Sequence, residues 1–436
     1  MDAVTIILFI GIGLFTFIAL TLWSIKRYEV AVFFVGLSPW LSALFIPPNS
    51  DDLVEATLGS YLRIGILLWM GVVGIIQYTR FRLSHSEKVP LHFVLFGLFI
   101  LFALVSIIYS IDPFYTFIRS SAFLALFGFL IGLHGWLHED QRLEGVLHTL
   151  FLLVSFFILI NSLSLVIFSN RVWWGDGNGR FQGLWSHPNT LGSVCMVSYP
   201  VLQWEYSRGS FGKKFMVIVL FVALACFHLF TGSRASIAAT FLGMCVWCLI
   251  QKKRRNLILA MGLIGIVVFS IVQLKPSSFH REEGTGLIDL TGRPEFWHGS
   301  LILMREKPLL GYGYGVEGKI WEDPRFFGNK ETLWSGSAKT SLHNGYLSTV
   351  IGVGIIIFIL WCLILFLPLW RTMRLPFNDF KAFAITLLVM GMIMNFFEGV
   401  ITEGRSFVAI LFWIAWVFAG RLTHSPRIGK NEIKSA

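Results

Sequence analysis

The chain is a succession of long apolar runs divided by short polar turns, and that pattern leaves few folds open. Runs near 4–23, 30–47, 61–78, 91–109, 114–133, 146–168, 190–206, 215–231, 236–250, 256–273, 343–369, 382–397 and 406–420 reach or approach the roughly 20 residues a helix needs to cross a bilayer. Lipid gives backbone amides no partner, so such runs fold as helices that satisfy their own hydrogen bonds. Composition agrees: 55% of the 436 residues are hydrophobic and 14% charged, where a soluble domain carries about 25% charged residues. The expected class is all-α, a polytopic transmembrane helix bundle of roughly twelve helices. The second, ninth and thirteenth runs are short enough to be re-entrant instead. The first run follows Asp2 rather than a basic stretch and lacks a small-residue cleavage site, so it reads as a membrane helix and not as a leader.

The net charge of +10 would suit a nucleic-acid binder, but its distribution argues otherwise. The cations gather in alternate turns: Lys26 and Arg27; Arg80, Arg82 and Lys88; Arg208, Lys213 and Lys214; Lys252 to Arg255; Arg371, Arg374 and Lys381; and the tail with Arg421, Arg427, Lys430 and Lys434. The positive-inside rule makes these turns cytoplasmic. The opposite set, 47–56 with Asp51, Asp52 and Glu55, 170–189, and the long loop 274–342, then faces outward, toward the periplasm of a bacterial inner membrane. The organisation read from this is a bundle over 1–273, a periplasmic loop over 274–342, further membrane helices over 343–420 and a cytoplasmic basic tail over 421–436. Within the loop, Pro294 to Glu306 reads as a helix with Phe296, Trp297, Leu301 and Met304 on one face, ended by Pro308. It is expected to lie on the membrane or over the bundle. The five cysteines all lie in apolar runs, and the Cys245–Cys248 pair lacks a second pair, so no metal site or disulfide framework is expected.

Several arginines break the charge rule by standing on the outward side: Arg63, Arg119, Arg180, Arg234 and Arg293. A charge in a membrane helix costs a few kcal/mol or more and normally has a task. The planar guanidinium fork suits a diphosphate, and its charge persists at any working pH. A single arginine near a helix end is usually a snorkelling interfacial residue, a reading that suits Arg63 better than Arg119 or Arg234. Arg281, Arg305 and Arg325 read as ordinary solvated charges. His343, where the long loop re-enters the membrane, has a side chain whose ordinary pKa lies near neutrality and suits a general base. The plainer reading is a histidine that caps a helix together with Asn344.

His343-Asn344, nine residues, then Gly354 resembles the signature of the O-antigen ligase and O-antigen polymerase superfamily, although Ile357 stands where that pattern continues with Gly, Thr or Tyr. Thr231 to Ala235 resembles the family's Ser-Arg segment. Gly292-Arg293, Trp297 and Pro308 to Gly313 resemble the stretch before the His motif. Arg180 to Gly183 with His187 to Gly192 resembles a segment of polymerase-like and exopolysaccharide-type members. The resemblance covers roughly residues 60 to 420. It implies an integral-membrane glycosyltransferase that takes an oligosaccharide from undecaprenyl diphosphate and passes it to a glycan hydroxyl, without cofactor or metal. The acceptor would be a lipid-linked repeat or lipid A-core, with polymerisation slightly favoured over ligation and transfer to protein a minor third. It also implies twelve helices with both termini cytoplasmic, whereas the run count places the N-terminus outside.

The resulting expectations are specific. Arg234 and Arg293 hold the diphosphate and act in catalysis, supported by Arg119 and Arg63. His343 is the catalytic base, with Glu398 as a second candidate. Arg180, His187, Asn189 and Asn344 face the glycan. Besides donor and acceptor, the only partners expected are membrane lipids. A transporter or flippase of anionic lipid-linked glycans is the rival, and it requires charges spread through the membrane depth.

Overall fold

A computed structural model describes residues 16–43, 58–85, 87–168, 172–174, 179–185, 187–252, 293–320, 343–402, 404 and 406–424. The run at 256–273, most of the long loop and the basic tail beyond residue 424 lie outside them. The described chain is helical almost throughout, as expected. Its elements are α1 (Thr16–Lys26), α2 (Tyr28–Ala43), α3 (Leu58–Ser84), α4 (Leu91–Val105), α5 (Pro113–Trp136) and α6 (Asp140–Ile167). A two-residue ribbon follows, β1 (Trp173–Trp174) against β2 (Arg180–Phe181), then α7 (Pro188–Arg208), α8 (Phe211–Phe230) and α9 (Arg234–Ile250). The rest is α10 (Arg293–Glu306), α11 (Glu317–Ile320), α12 (Gly345–Met373), α13 (Asp379–Phe397) and α14 (Phe407–His424). Seven of these helices contain a stretch long and apolar enough to cross a membrane. Large apolar side chains such as Val72, Val94, Leu159, Val222 and Ile356 point outward along them, the surface that lipid requires.

The thirteenth run, short enough to be re-entrant, is instead the buried axis of the bundle. From Phe407 to Leu422 every side chain of α14 is buried, because the helix is apolar on all faces and α12, α13, α5, α2 and α7 surround it. At its far end Arg421, only 2% exposed, donates to the Leu137 carbonyl at 3.0 Å and to Glu87 at 2.6 Å. This locks α14 to the turns after α3 and α5.

Helices α3 and α5 run parallel and almost touch through their backbones. Small residues permit this: a Cβ on Gly71 would stand 2.7 Å from the Ala125 carbonyl oxygen, and Gly74 faces Gly128 and Gly132 in the same way. Since Gly71 meets Ala125 and both chains ascend together, Arg63 and Arg119 come level at the same end of the pair.

The helix ends sort onto two faces. One carries the basic turns. The other gathers the N-termini of α3, α5, α7, α9, α12 and α14 with the C-termini of α4, α6, α8 and α13. Helix α1 runs toward the basic face, where Ile25 meets Phe81 beside Arg80, and α2 returns, placing Trp40 against Trp185.

Over the opposite face, α10 packs on the bundle as expected. Trp297 meets Phe396 edge-on at 5.5 Å, and Leu303 shares a small apolar cluster with Tyr312, Val316 and Ile351. The segment after α10 docks into a break in α12. At Gly354 the backbone takes φ 75° and ψ 173°, which opens the helix. The freed carbonyls of Ile351 and Gly352 accept from the amides of Tyr312 and Gly313, each at 2.9 Å, and the Ile355 amide donates to the Pro308 carbonyl at 2.9 Å. Only glycine fits there, because φ is positive and a Cβ would overlap the Leu309 carbonyl. Gly354 of the sequence signature is therefore the socket for the Pro308–Gly313 stretch.

Candidate active site

The turn before α12 sets the site. Asn344 is the cap: its Oδ1 accepts from the amides of Tyr346 at 3.0 Å and Leu347 at 3.1 Å. It is 4% exposed. Its oxygen is committed and its side chain buried, so the expectation that Asn344 faces a glycan gives way to a helix-start role. His343, just outside the cap, sits at φ 47°, a left-handed conformation that costs a non-glycine residue of order 1–3 kcal/mol. The cap on one side and a carboxylate on the other hold it there. Glu398 Oε2 lies 2.7 Å from His343 Nδ1. Side-chain exposure is 39% for His343 and 16% for Glu398. The histidine is therefore half-buried and the acid beside it more deeply buried.

Glu398 ends α13 and is positioned by the turn that follows. Asn395, fully buried one helical turn earlier, accepts from the Ile401 amide at 3.1 Å and fixes that turn. From Glu398 the hydrogen bonds continue inward. Its Oε1 accepts from Asn189 Nδ2 at 3.3 Å, and Asn189 Oδ1 accepts from Arg180 Nη2 at 2.8 Å. Arg180 Nε in turn donates to the Thr231 carbonyl at 2.7 Å. Four residues singled out in the sequence, His343, Glu398, Asn189 and Arg180, thus form one chain of hydrogen bonds across α12, α13, α7 and β2. Arg180 is only 6% exposed. Its expected glycan-facing position is replaced by a buried tie between the start of α7 and the end of α8. His187 caps α7, its Nδ1 accepting from the Asn189 amide at 3.0 Å, and Pro188 takes the first helical position.

The arginines arrive by different routes. Arg234 opens α9 three residues after Thr231, beside the Arg180 tie, where Gly192 of α7 lies against Ser233 and Ser236. Arg119, in the second turn of α5, stacks over Tyr115 at 5.0 Å, donates to its hydroxyl, and packs against Gly315. Next to Gly315, Tyr314 donates to the Thr402 carbonyl at 2.8 Å, in the same turn as Glu398. Arg63 stands level with Arg119 on α3. The backbone of Arg293 opens α10, and its side chain lies outside the described residues, as do Glu403 and Arg405. Of the tyrosines in the docked stretch, Tyr312 is buried and donates to Glu306 at 2.8 Å. Burial first, and then that carboxylate, raise its hydroxyl pKa, so it stays protonated.

Thr231, Tyr115, Tyr314, Asn395 and Thr402 escaped the sequence reading. Tyr314 had a visible signal, since it interrupts a run of alternating glycines from Gly311 to Gly315. Asn395 had another: it is an amide inside an apolar helix, one turn before Glu398. Thr231 meets Arg180 through its carbonyl, which no side-chain pattern reveals.

The resemblance stated from the sequence holds on comparison with known proteins. Residues 219–362 match the family model described as O-antigen ligase, a stretch that includes Arg234, Arg293, His343 and Gly354. Over 309 residues the chain is 23% identical to the ComP-specific O-oligosaccharyltransferase of Acinetobacter baylyi. That alignment covers 68% of this chain and 54% of the relative, so the chain spans about half the length of the curated relative it matches.

Proposed function

We propose that the protein is a membrane glycosyltransferase that moves an oligosaccharide as a block from undecaprenyl diphosphate to a hydroxyl acceptor at the periplasmic face of a bacterial inner membrane. The observation that carries the reading is the half-buried His343 held at Nδ1 by Glu398. A proton on Nδ1, donated to the carboxylate, puts the lone pair on Nε2, which acts as the base. The acceptor hydroxyl gives its proton to Nε2 as its oxygen bonds the anomeric carbon. The bond from that carbon to the diphosphate breaks, and undecaprenyl diphosphate leaves with the electron pair. The positive ends of α5, α7, α9 and α12 point toward this face, and they and the arginines favour an anion there. Arg234 and Arg293 are assigned to the leaving diphosphate, with Arg119 and Arg63 behind them.

Block transfer is preferred to polymerisation for a physical reason. The His187-Pro188-Asn189 segment, which favoured a polymerase in the sequence, here starts a helix and extends the hydrogen-bond chain to Glu398. It therefore speaks for site construction rather than for one acceptor. Both comparisons describe oligosaccharide or O-antigen transfer. Purified protein in liposomes, given an undecaprenyl-diphosphate-linked oligosaccharide with lipid A-core, a second lipid-linked repeat or a hydroxyl-bearing peptide, tests the proposal. One transfer per acceptor is expected. A ladder of lipid-linked multiples would replace block transfer by polymerisation, and no product with any matched acceptor would end the enzyme reading.

A further inference from the structure

The basic face holds a cavity of about 350 Å³ that the transfer reaction does not use. The ends of α1, α3 and α5 and the start of α6 enclose it, and Gln77, Arg80, His85, Trp136, His138 and Arg142 supply most of its polar and aromatic lining. Arg80 and Arg63 stand at opposite ends of α3, a separation of about 25 Å at 1.5 Å per residue. This is not the diphosphate site.

Two side chains there have chemistry to offer and, among the described residues, no hydrogen-bond or ion-pair partner. Gln77 is 8% exposed, lines the cavity, and hydrogen-bonds to no other described residue. Its side-chain amide opens into the cavity, where a bound group can reach it. Arg80, one turn further along α3, makes no ion pair with any described acid. The other charges around the cavity are spoken for. Arg142 lies over Trp136 at 4.1 Å and pairs with Glu139 at 3.0 Å, and His138 Nε2 sits 3.1 Å from the same carboxylate. Glu29 accepts from the Trp136 indole at 3.2 Å, and Glu87 is held by Arg421 at 2.6 Å. His85 Nδ1 faces the Ser84 hydroxyl at 3.0 Å. Lys26 and Arg27, next to the lining residue Ile25, add positive charge at the rim.

We infer that this cavity binds a phosphate group, with Arg80 as the charged fork and the Gln77 amide as a second donor. Its place at the basic end of membrane helices favours an anionic phospholipid headgroup as the source. Basic pockets between such helices suit these headgroups, and Trp136 and Phe81 give the attached glycerol an apolar wall. The arrangement needs no conformational change, because the cavity is already open.

Native mass spectrometry on the full-length protein in detergent reads this directly. Phosphatidylglycerol is titrated against wild type, Arg80→Ala and Gln77→Leu, with glycerol 3-phosphate and inorganic phosphate as separate arms. Wild type should bind one phosphatidylglycerol, and each variant should bind it about tenfold or more weakly, as loss of a charge-assisted or buried hydrogen bond requires. Arg80 is at the surface, so its variant tests the site even if Gln77→Leu folds poorly. If the soluble phosphates bind as well as the lipid and show the same Arg80 dependence, the phosphate site stands and its source is a soluble phosphate. Lipid binding undiminished in Arg80→Ala, or no phosphate compound bound by wild type, overturns the inference.

Discussion

Replacing Glu398 by glutamine tests the site with the smallest change in shape. The substitution keeps the side-chain volume and removes the charge 2.7 Å from His343 Nδ1. A hydrogen bond to a charged group contributes about 1.5–3 kcal/mol, and about 1.4 kcal/mol is tenfold in rate. If that bond orients His343 and stabilises it as it gains a proton, kcat should fall roughly 10- to 150-fold. KM for the lipid-linked donor should change little, because the carboxylate faces the histidine and not the donor. The assay is initial-rate formation of glycosylated acceptor by protein in liposomes, with thermal midpoint as the folding control. The decisive arm is the double variant. Glu398 acts through His343, so adding Glu398→Gln to His343→Ala should cost less than about threefold more, since residues acting as a unit are not additive. If the two losses multiply in full, Glu398 works independently of the histidine and the dyad is wrong. A Glu398→Gln enzyme at wild-type rate refutes it outright.

Three further outcomes are expected. Arg180→Ala removes donors at 2.7 and 2.8 Å from a buried position. It should lower both the thermal midpoint and kcat, the latter by about tenfold, and Arg180→Lys, unable to reach both acceptors, should not restore it. Gly354→Ala forces a Cβ into the Leu309 carbonyl at a positive φ. It should destabilise the fold by about 1–3 kcal/mol and expose the segment after α10 to protease, read by limited proteolysis. Glu87 is held below the ordinary carboxylate range chiefly by its hydrogen bond to Arg421, so its contribution to stability is present above about pH 4 and fades as pH falls through the lowered value. The difference in thermal midpoint between wild type and Glu87→Gln should therefore shrink on acidification, and a difference that grows would contradict the assignment.

The sequence revealed elements better than partnerships. The apolar runs located the helices because a bilayer leaves an exposed backbone no alternative, and α10 was visible from Pro294 and its apolar face. The site residues were visible one at a time because charge is rare in membrane helices. Their pairings were not, since His343 and Glu398 are 55 residues apart and Asn189 and Glu398 are 209 apart. No local pattern encodes which ends meet. The same lack of fold context misassigned Asn344 and Arg180: an amide and a guanidinium look alike in sequence whether they face a sugar or a backbone carbonyl. The break in α12 was hidden for a related reason. Gly354 lies in an apolar run that reads as unbroken helix, and only the docked Pro308–Gly313 stretch explains the break.

The distribution of charge along the described helices favours transfer over transport. In the described helices every Asp, Glu, Lys and Arg lies within about two turns of a helix end, so the middle of these helices holds no charged side chain for an anionic headgroup. What fills it instead is aromatic. Phe96 stacks on Trp413 at 4.7 Å, Phe99 lies 4.7 Å from Trp361, and Trp361 meets Trp413 at 5.5 Å, all of them fully buried. A permeation path would have to part this packing and carry a charge through it at a cost of several kcal/mol. A transferase has no such need. Its donor can approach sideways from the lipid, its acceptor from water, and the reaction can run at the one face where arginines, helix N-termini and the His343–Glu398 pair meet. The closed aromatic core joins α4, α12 and α14 instead, and α12 carries at its start the turn that holds His343 against Glu398.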